Sequence, residues 1–383
     1  MNATLTLFPH ARYYVALIVA SAFAWSTATA APEISTLRGS ISNGNIIRVT
    51  GDGFGFHGPN ISVFDDFEKG TSGNATSFGP DSAQVGTWDY ISEVLVPKYS
   101  NAFAHSGYLS NMSDWSDQGS HEGGRLVGKT MIGGVAEVYF SWWAYVPVDR
   151  DIPGTNTPWG PNWKLFWIFR HPWPSSDYVF TLMTNNLPVG NPPRADYFLM
   201  AAGNDHRPPQ RDNFDTRYGP STFVKGRWHR WEVYMKASTR DGTLQAWEMN
   251  DRVKRTQIAF RTGIVTIHAG ETWDRIHFPG YGRGDFKSQT YYDDIYVATG
   301  PGARARLEIG DAESYESCTN LAVQTAKSWN DNEITATVRQ GSFTSGQKAY
   351  VFVIDRDGTS NRRGYPIRFG RSLLSGCCVR PLL

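Results

Sequence analysis

The chain has 383 residues, with 37 Lys and Arg against 36 Asp and Glu, 14% aromatic residues and three cysteines. Charges this evenly balanced leave no electrostatic footprint for nucleic acid or for an anionic membrane surface. No Cys/His spacing of a zinc site is present either. The 14 tryptophans fall largely into two groups, one through Trp142, Trp143, Trp159, Trp163, Trp167 and Trp173, the other through Trp228, Trp231, Trp247 and Trp273. An indole face suits the C–H face of a sugar ring while its N–H can still donate, although the same rings also fill sandwich cores.

At the N-terminus, Arg12 is followed by an apolar run from Tyr13 to Phe23 and by the small residues Ala28-Thr29-Ala30. This pattern predicts a secretory signal over 1–30 and a secreted (extracellular or periplasmic) mature chain starting near Ala31. No later stretch reaches about 18 continuous apolar residues, so no membrane insertion is expected. Short alternating runs separated by Gly, Pro, Asn and Asp follow, and they predict an all-β chain.

The segment from Pro32-Glu33-Ile34 to Gly51-Asp52-Gly53-Phe54-Gly55 resembles the opening of an IPT/TIG domain, a small immunoglobulin-like β-sandwich. The later strands of that pattern come much further on, at Trp329 to Val338 and at Lys348 to Asn361. The resemblance implies a split domain, 31–61 and 312–370, with a larger domain inserted at 62–311. The stretch 371–383 is read as a tail.

Three segments of the insert carry a second resemblance. They are Phe64-Asp65-Asp66-Phe67-Glu68-Lys69-Gly70, the run from Gly226 to Trp247 around Trp228-His229-Arg230-Trp231-Glu232, and Tyr291-Tyr292-Asp293-Asp294-Ile295-Tyr296-Val297. Together they resemble concanavalin A-like lectin/glucanase jelly rolls, a fold shared by lectins, glycosidases and polysaccharide lyases. Strand alternation puts His229, Trp231, Val233 and Met235 in the core. It puts Trp228, Arg230, Glu232, Tyr234 and Lys236 on the other face, which reads as a concave sugar-binding surface or as a solvated face with cross-strand ion pairs. The run 162–171 leaves two choices open: Lys164, Phe166, Ile168 and Arg170 face the groove, or Trp163, Trp167 and His171 do. Asn204-Asp205-His206-Arg207 and the Gly-rich loop presenting Tyr281 and Arg283 are expected at the sheet rim.

A retaining glycosidase needs two carboxylates about 5 Å apart. The E-x-D-x-x-E and E-x-D-x-E patterns that carry them in glucanases of this fold are absent. A lyase instead needs a Tyr or His base and a cation that neutralises the uronate carboxylate. Tyr234, Tyr281, His206 and His171 are candidate bases, with Arg230, Arg283 and Arg170 as candidate neutralisers. The alginate-lyase motifs R-x-E-L and Q-I-H are missing, and the hairpin resembles the glucuronan-lyase side of the group more closely.

The sequence therefore predicts a protein that binds extracellular polysaccharide on an aromatic-lined jelly-roll face, through Trp228, Trp247, Trp167, Glu232, Lys236 and Arg170. The alternatives are β-elimination of a uronate polymer and cell-surface adhesion. No cofactor is required by this reading. Asp65, Asp66, Asp293 and Asp294 are expected side by side, holding a structural Ca²⁺ or serving as caps and turns. Cys318 is expected to pair with Cys377 or Cys378 in an oxidising compartment.

Overall fold

The computed structural model describes residues 30–91, 96–114, 127–152, 163–171, 178–185, 197–202, 216–220, 223–278, 288–370 and 372–373. The predicted signal segment and most of the predicted tail, with Cys377 and Cys378, lie outside them. Among the described residues there is no α-helix, only one 3₁₀ turn at Tyr315–Ser317, and no helix is long and apolar enough to cross a membrane. Ala31–Leu383 forms one compact unit.

Three antiparallel sheets build this unit. A front sheet runs in the order Thr216–Pro220, Tyr197–Ala202, Tyr178–Asn185, Trp167–His171, Thr272–Phe278, Val127–Val135 and Tyr90–Ile91, with Trp163–Lys164 beside Tyr178–Asn185. A back sheet runs Val253–Ile264, Gly242–Asn250, His229–Lys236, Glu137–Tyr145, Gln289–Thr299, Asn60–Asp65 and Val85–Gly86, with Lys98–Ser100 and Ser110–Asp114 joining off Gln289–Thr299. These two sheets enclose one core. Trp142, Trp231, Val233 and Met235 enter it from the back, and Ile168, Trp273, Ile276 and Phe278 enter it from the front. This is the all-β jelly-roll sandwich that the strand pattern predicts.

The third, terminal sheet unites the two ends of the chain. Its order is Tyr365–Arg368, Lys348–Ile354, Arg306–Gly310, Leu321–Trp329, Glu333–Thr337, Ile46–Asp52, Glu33–Ser40 and Ser372–Leu373. Leu321–Trp329 passes between its halves, pairing through Gln324 with Arg306–Gly310 and from Thr325 onward with Glu333–Thr337, the second pairing carrying a bulge between Ala326 and Ser328. The sheet thus folds over a second apolar core that includes Ile47, Val49, Leu307, Ile309, Val351 and Val353.

Local irregularity resolves the run that alternation left open. Pairing is interrupted at Leu165 and Phe166, so Trp163, Phe166 and Ile168 all reach the core while Trp167 points outward. A bulge at Asp274 does the same for Thr272–Phe278, turning Trp273 inward with Ile276 and Phe278 while Arg275 and His277 stay outside.

Candidate functional site

The back-sheet face expected to bind sugar is covered by the terminal sheet. Tyr139, Tyr234, Trp247 and Tyr296 pack with Val323, and Trp143 and Met249 pack with Tyr315, Leu321 and Phe352. Arg230 and Glu232 are each only 1% exposed. Arg230 is bonded to Glu308 of the terminal sheet. Glu232 is held by Arg255 at 3.0 Å, by Arg306 at 3.4 Å and by the Tyr139 hydroxyl at 2.9 Å. Burial alone would raise the Glu232 carboxyl, but Arg255, Arg230 and Arg306 hold it well below the ordinary carboxylate range.

This overturns the groove reading of the 228–236 strand. Tyr234, expected as a base, donates its hydroxyl to Glu137 at 2.8 Å beneath the Arg304 guanidinium. Trp247, expected to stack on sugar, lies under Arg255 at 4.5 Å. Trp228 sits at the edge of the covered area, 5.4 Å from Tyr145 and 5.7 Å from His105, and Lys236 alone of this strand is exposed. Alternation sorted the two faces correctly. It could not show that the polar one meets another part of the same chain.

The acidic pairs are brought together, because Asp65 stands opposite Ile295 where the first and last jelly-roll strands pair. Asp65 accepts from Phe67 N and Trp88 Nε1, and Asp293 accepts from the backbone of His105, Ser106 and Asp294. Both are thus engaged as turn-fixing acceptors, and among the described residues no group of three or more His, Cys, Asp or Glu is placed to hold a metal. Among the described residues Cys318 has no disulfide partner; it is buried, and burial pushes its thiol pKa up to about 12.

The outer face of the front sheet carries a different constellation. Trp167, His277, Gly128 and Tyr90 stand in register across four neighbouring strands, and Phe169, Arg275 and Thr130 form the next row. Gly128 has no side chain, which lets the His277 imidazole reach Tyr90 and stack on it at 4.9 Å, 8° from parallel. A Cβ there would lie 2.6 Å from the imidazole Cδ2. Phe169 packs on the same imidazole at 4.8 Å, and the Arg275 guanidinium lies 5.7 Å from the Phe169 ring.

His277 is 5% exposed, and neither ring nitrogen has a hydrogen-bond partner among the described residues. Burial, aided by Arg275, pushes its pKa down to about 3, so the ring is neutral and keeps a free lone pair. Arg170 and His171 lie on the adjoining strand, paired to Trp273 and Thr272. His206, Tyr281 and Arg283 lie outside the described residues. Sequence reasoning missed His277, Arg275 and Tyr90. The period-two spacing of 275 and 277 was readable, but the bulge at Asp274 that turns this pair outward was not.

No family model and no curated protein matches the sequence. Among solved structures, the chain is similar to an endo-β-1,4-glucuronan lyase from the fungus Trichoderma reesei, at 12% identity over 61% of this chain and 98% of that one, with a TM-score of 0.41. A GH131 β-glucanase catalytic domain from Podospora anserina is similar at 13% identity, 63% and 96% coverage and a TM-score of 0.39. So is the Lotus tetragonolobus seed lectin, at 9% identity, 60% and 98% coverage and a TM-score of 0.35. The fold assignment rests on the sheets and cores described above.

Proposed function

We propose that the chain binds an extracellular polysaccharide along the outer face of the front sheet, with Trp167 and Tyr90 as stacking rings. The observation that carries this reading is the in-register row of Trp167, His277 and Tyr90 on the front-sheet face turned away from the jelly-roll core. Aromatic rings flanking a neutral, unsatisfied imidazole offer both apolar and hydrogen-bonding contact to a sugar ring. Export is proposed on the leader-like segment 1–30, and an IPT-like module split around 62–311 is proposed for the terminal sheet.

The test is a binding titration of the mature protein against glucuronan, alginate, hyaluronan and neutral β-glucans. Trp167→Ala and Tyr90→Ala should each weaken the preferred ligand by about tenfold. Unchanged affinity in both variants would remove the front face from consideration.

A second reading, β-elimination, is favoured by the pairing of His277 with Arg275 on one strand face. The imidazole would take the proton next to a uronate carboxyl that Arg275 neutralises. The electron pair left behind forms the carbon–carbon double bond as the glycosidic C–O bond breaks, and the leaving oxygen takes up a proton. Ultraviolet absorbance of the unsaturated product reads this step. Absorbance that persists in His277→Gln at the parent rate would exclude His277 as the base.

A further inference from the structure

Where the back and terminal sheets meet, a cleft of about 600 Å³ opens between two loops. One wall is the loop 101–109 with the start of the Asp66 turn, and the other is the loop 339–345 of the terminal sheet. The first wall presents Asp66, Glu68, His105, Tyr108 and Asp294, and the second presents Arg339 with Gln340, Ser342 and Thr344. Neither the front-sheet row nor the buried arginine–glutamate network uses this space.

The first wall is built to a fixed shape. Glu68 Oε1 accepts from the backbone N–H groups of Tyr108 and Leu109 at 2.7 and 2.6 Å. Gly107 makes that closure possible, because its φ is +59° and a Cβ there would lie 2.5 Å from the Glu68 carboxyl. The loop so held leaves the Tyr108 ring 82% exposed on the cleft rim. Asp294, at φ 47° within a strand, is clamped by His105 Nδ1 at 2.7 Å and by Ser106 Oγ at 2.8 Å.

Behind the cleft lies a second cavity of about 10 Å³, which shares Asp294, Arg339 and Gly341 with the cleft wall. Ser141 Oγ lines it, buried and without a hydrogen-bond partner among the described residues, beside Arg230, whose Nη1 lies 3.6 Å from Glu232 Oε1. That volume matches one water or one ligand hydroxyl. A buried donor of this kind calls for an acceptor.

We propose that this cleft is a second saccharide site, taking an uncharged sugar unit stacked on Tyr108 with its hydroxyls on Asp66, Asp294 and the 339–345 loop. Three carboxylates against one guanidinium disfavour a uronate there. A divalent cation is disfavoured because Asp294 and Glu68 already accept from His105, Ser106 and backbone N–H groups. Asp66 is suited to hydroxyl recognition, since its carboxyl lines the cleft beside Asp294 and accepts there. An exposed tyrosine ring over such a polar floor offers the mixed contact that a pyranose requires.

The experiment uses the full chain carrying Trp167→Ala, so that the front face is disabled, with cellotetraose, laminaritetraose and tetraglucuronate as probes in calorimetric titrations. One of the two neutral tetrasaccharides should still bind. Adding Tyr108→Ala should weaken it by about tenfold, and tetraglucuronate should show no Tyr108 dependence. The exposed position of Tyr108 keeps that variant folded. The proposal falls if neither neutral tetrasaccharide binds, if the Tyr108→Ala change leaves the affinity intact, or if calcium chloride alone displaces the sugar. Loss of uronate binding with Trp167→Ala reports separately on the front-sheet reading.

Discussion

Glu308 lies in the terminal sheet at 0% exposure, yet its partners include Arg230 of the back sheet as well as Arg306 and Tyr315 of its own surroundings. Removing one member of such a buried set leaves the other charge unpaired, which costs more than the pair contributes when intact. Glu308→Gln should therefore destabilise the fold by about 3–5 kcal/mol in chemical denaturation. A loss close to zero would mean that water reaches Arg230.

His277 makes a second single-residue prediction. Its folded pKa, about 3, lies below the ordinary value of 6.5, so the unfolded chain binds the extra proton first as pH falls. Stability carried by neutral His277 is full above about pH 6.5 and declines toward pH 3. The stability difference between parent and His277→Gln should shrink over that window and stay level above it. A difference independent of pH would show that the imidazole is not held neutral.

Strands, taken one at a time, explain what could be read in advance and what could not. The alternation of His229–Lys236 correctly put Trp231, Val233 and Met235 in the core, because a period of two follows from backbone geometry alone. The destination of Arg230 and Glu232 was hidden because their partners, Arg306 and Glu308, come more than 70 residues later, with separations of 74 and 78. The front sheet was harder still, since the interruption at Leu165–Phe166 and the bulge at Asp274 break the period that alternation depends on. Trp163 and Trp167 were bracketed on one face by parity and stand on opposite faces in the fold. Gly128 offers a test of the resulting row. Gly128→Ala would press a methyl group against His277 and Tyr90, and overpacking of this kind costs about 1–3 kcal/mol. The same change should abolish ligand dependence on Tyr90. A variant with unaltered stability and binding would show that the row has slack.

For the molecule as a whole, the jelly roll was legible from three segments, while strands from both ends of the sequence come together in one sheet. The mutual burial of the two was not legible, because nothing local marks a charged face as an internal seam. That seam should make the compact unit melt as one. Calorimetry of the mature chain should show a single transition, and the fragment 62–304, which lacks Arg306, Glu308 and the rest of the terminal sheet that follows them, should expose Tyr139, Arg230 and Trp247 and bind a hydrophobic dye. Two resolved transitions in the intact protein would contradict this.

The meeting of the chain ends also sets an order of events in time. Asn43 accepts from the backbone of Gln340, its partner 297 residues away, and Ile46–Asp52 finds its neighbour only at Glu333–Thr337. Loop closure over such distances must precede any reward from those contacts. Ile46–Asp52 therefore waits, unpaired on one side, until Glu333–Thr337 has been made. Completion of this sheet is gated by Glu333–Thr337, so a ribosome-bound chain short of Thr337 cannot reach the native state.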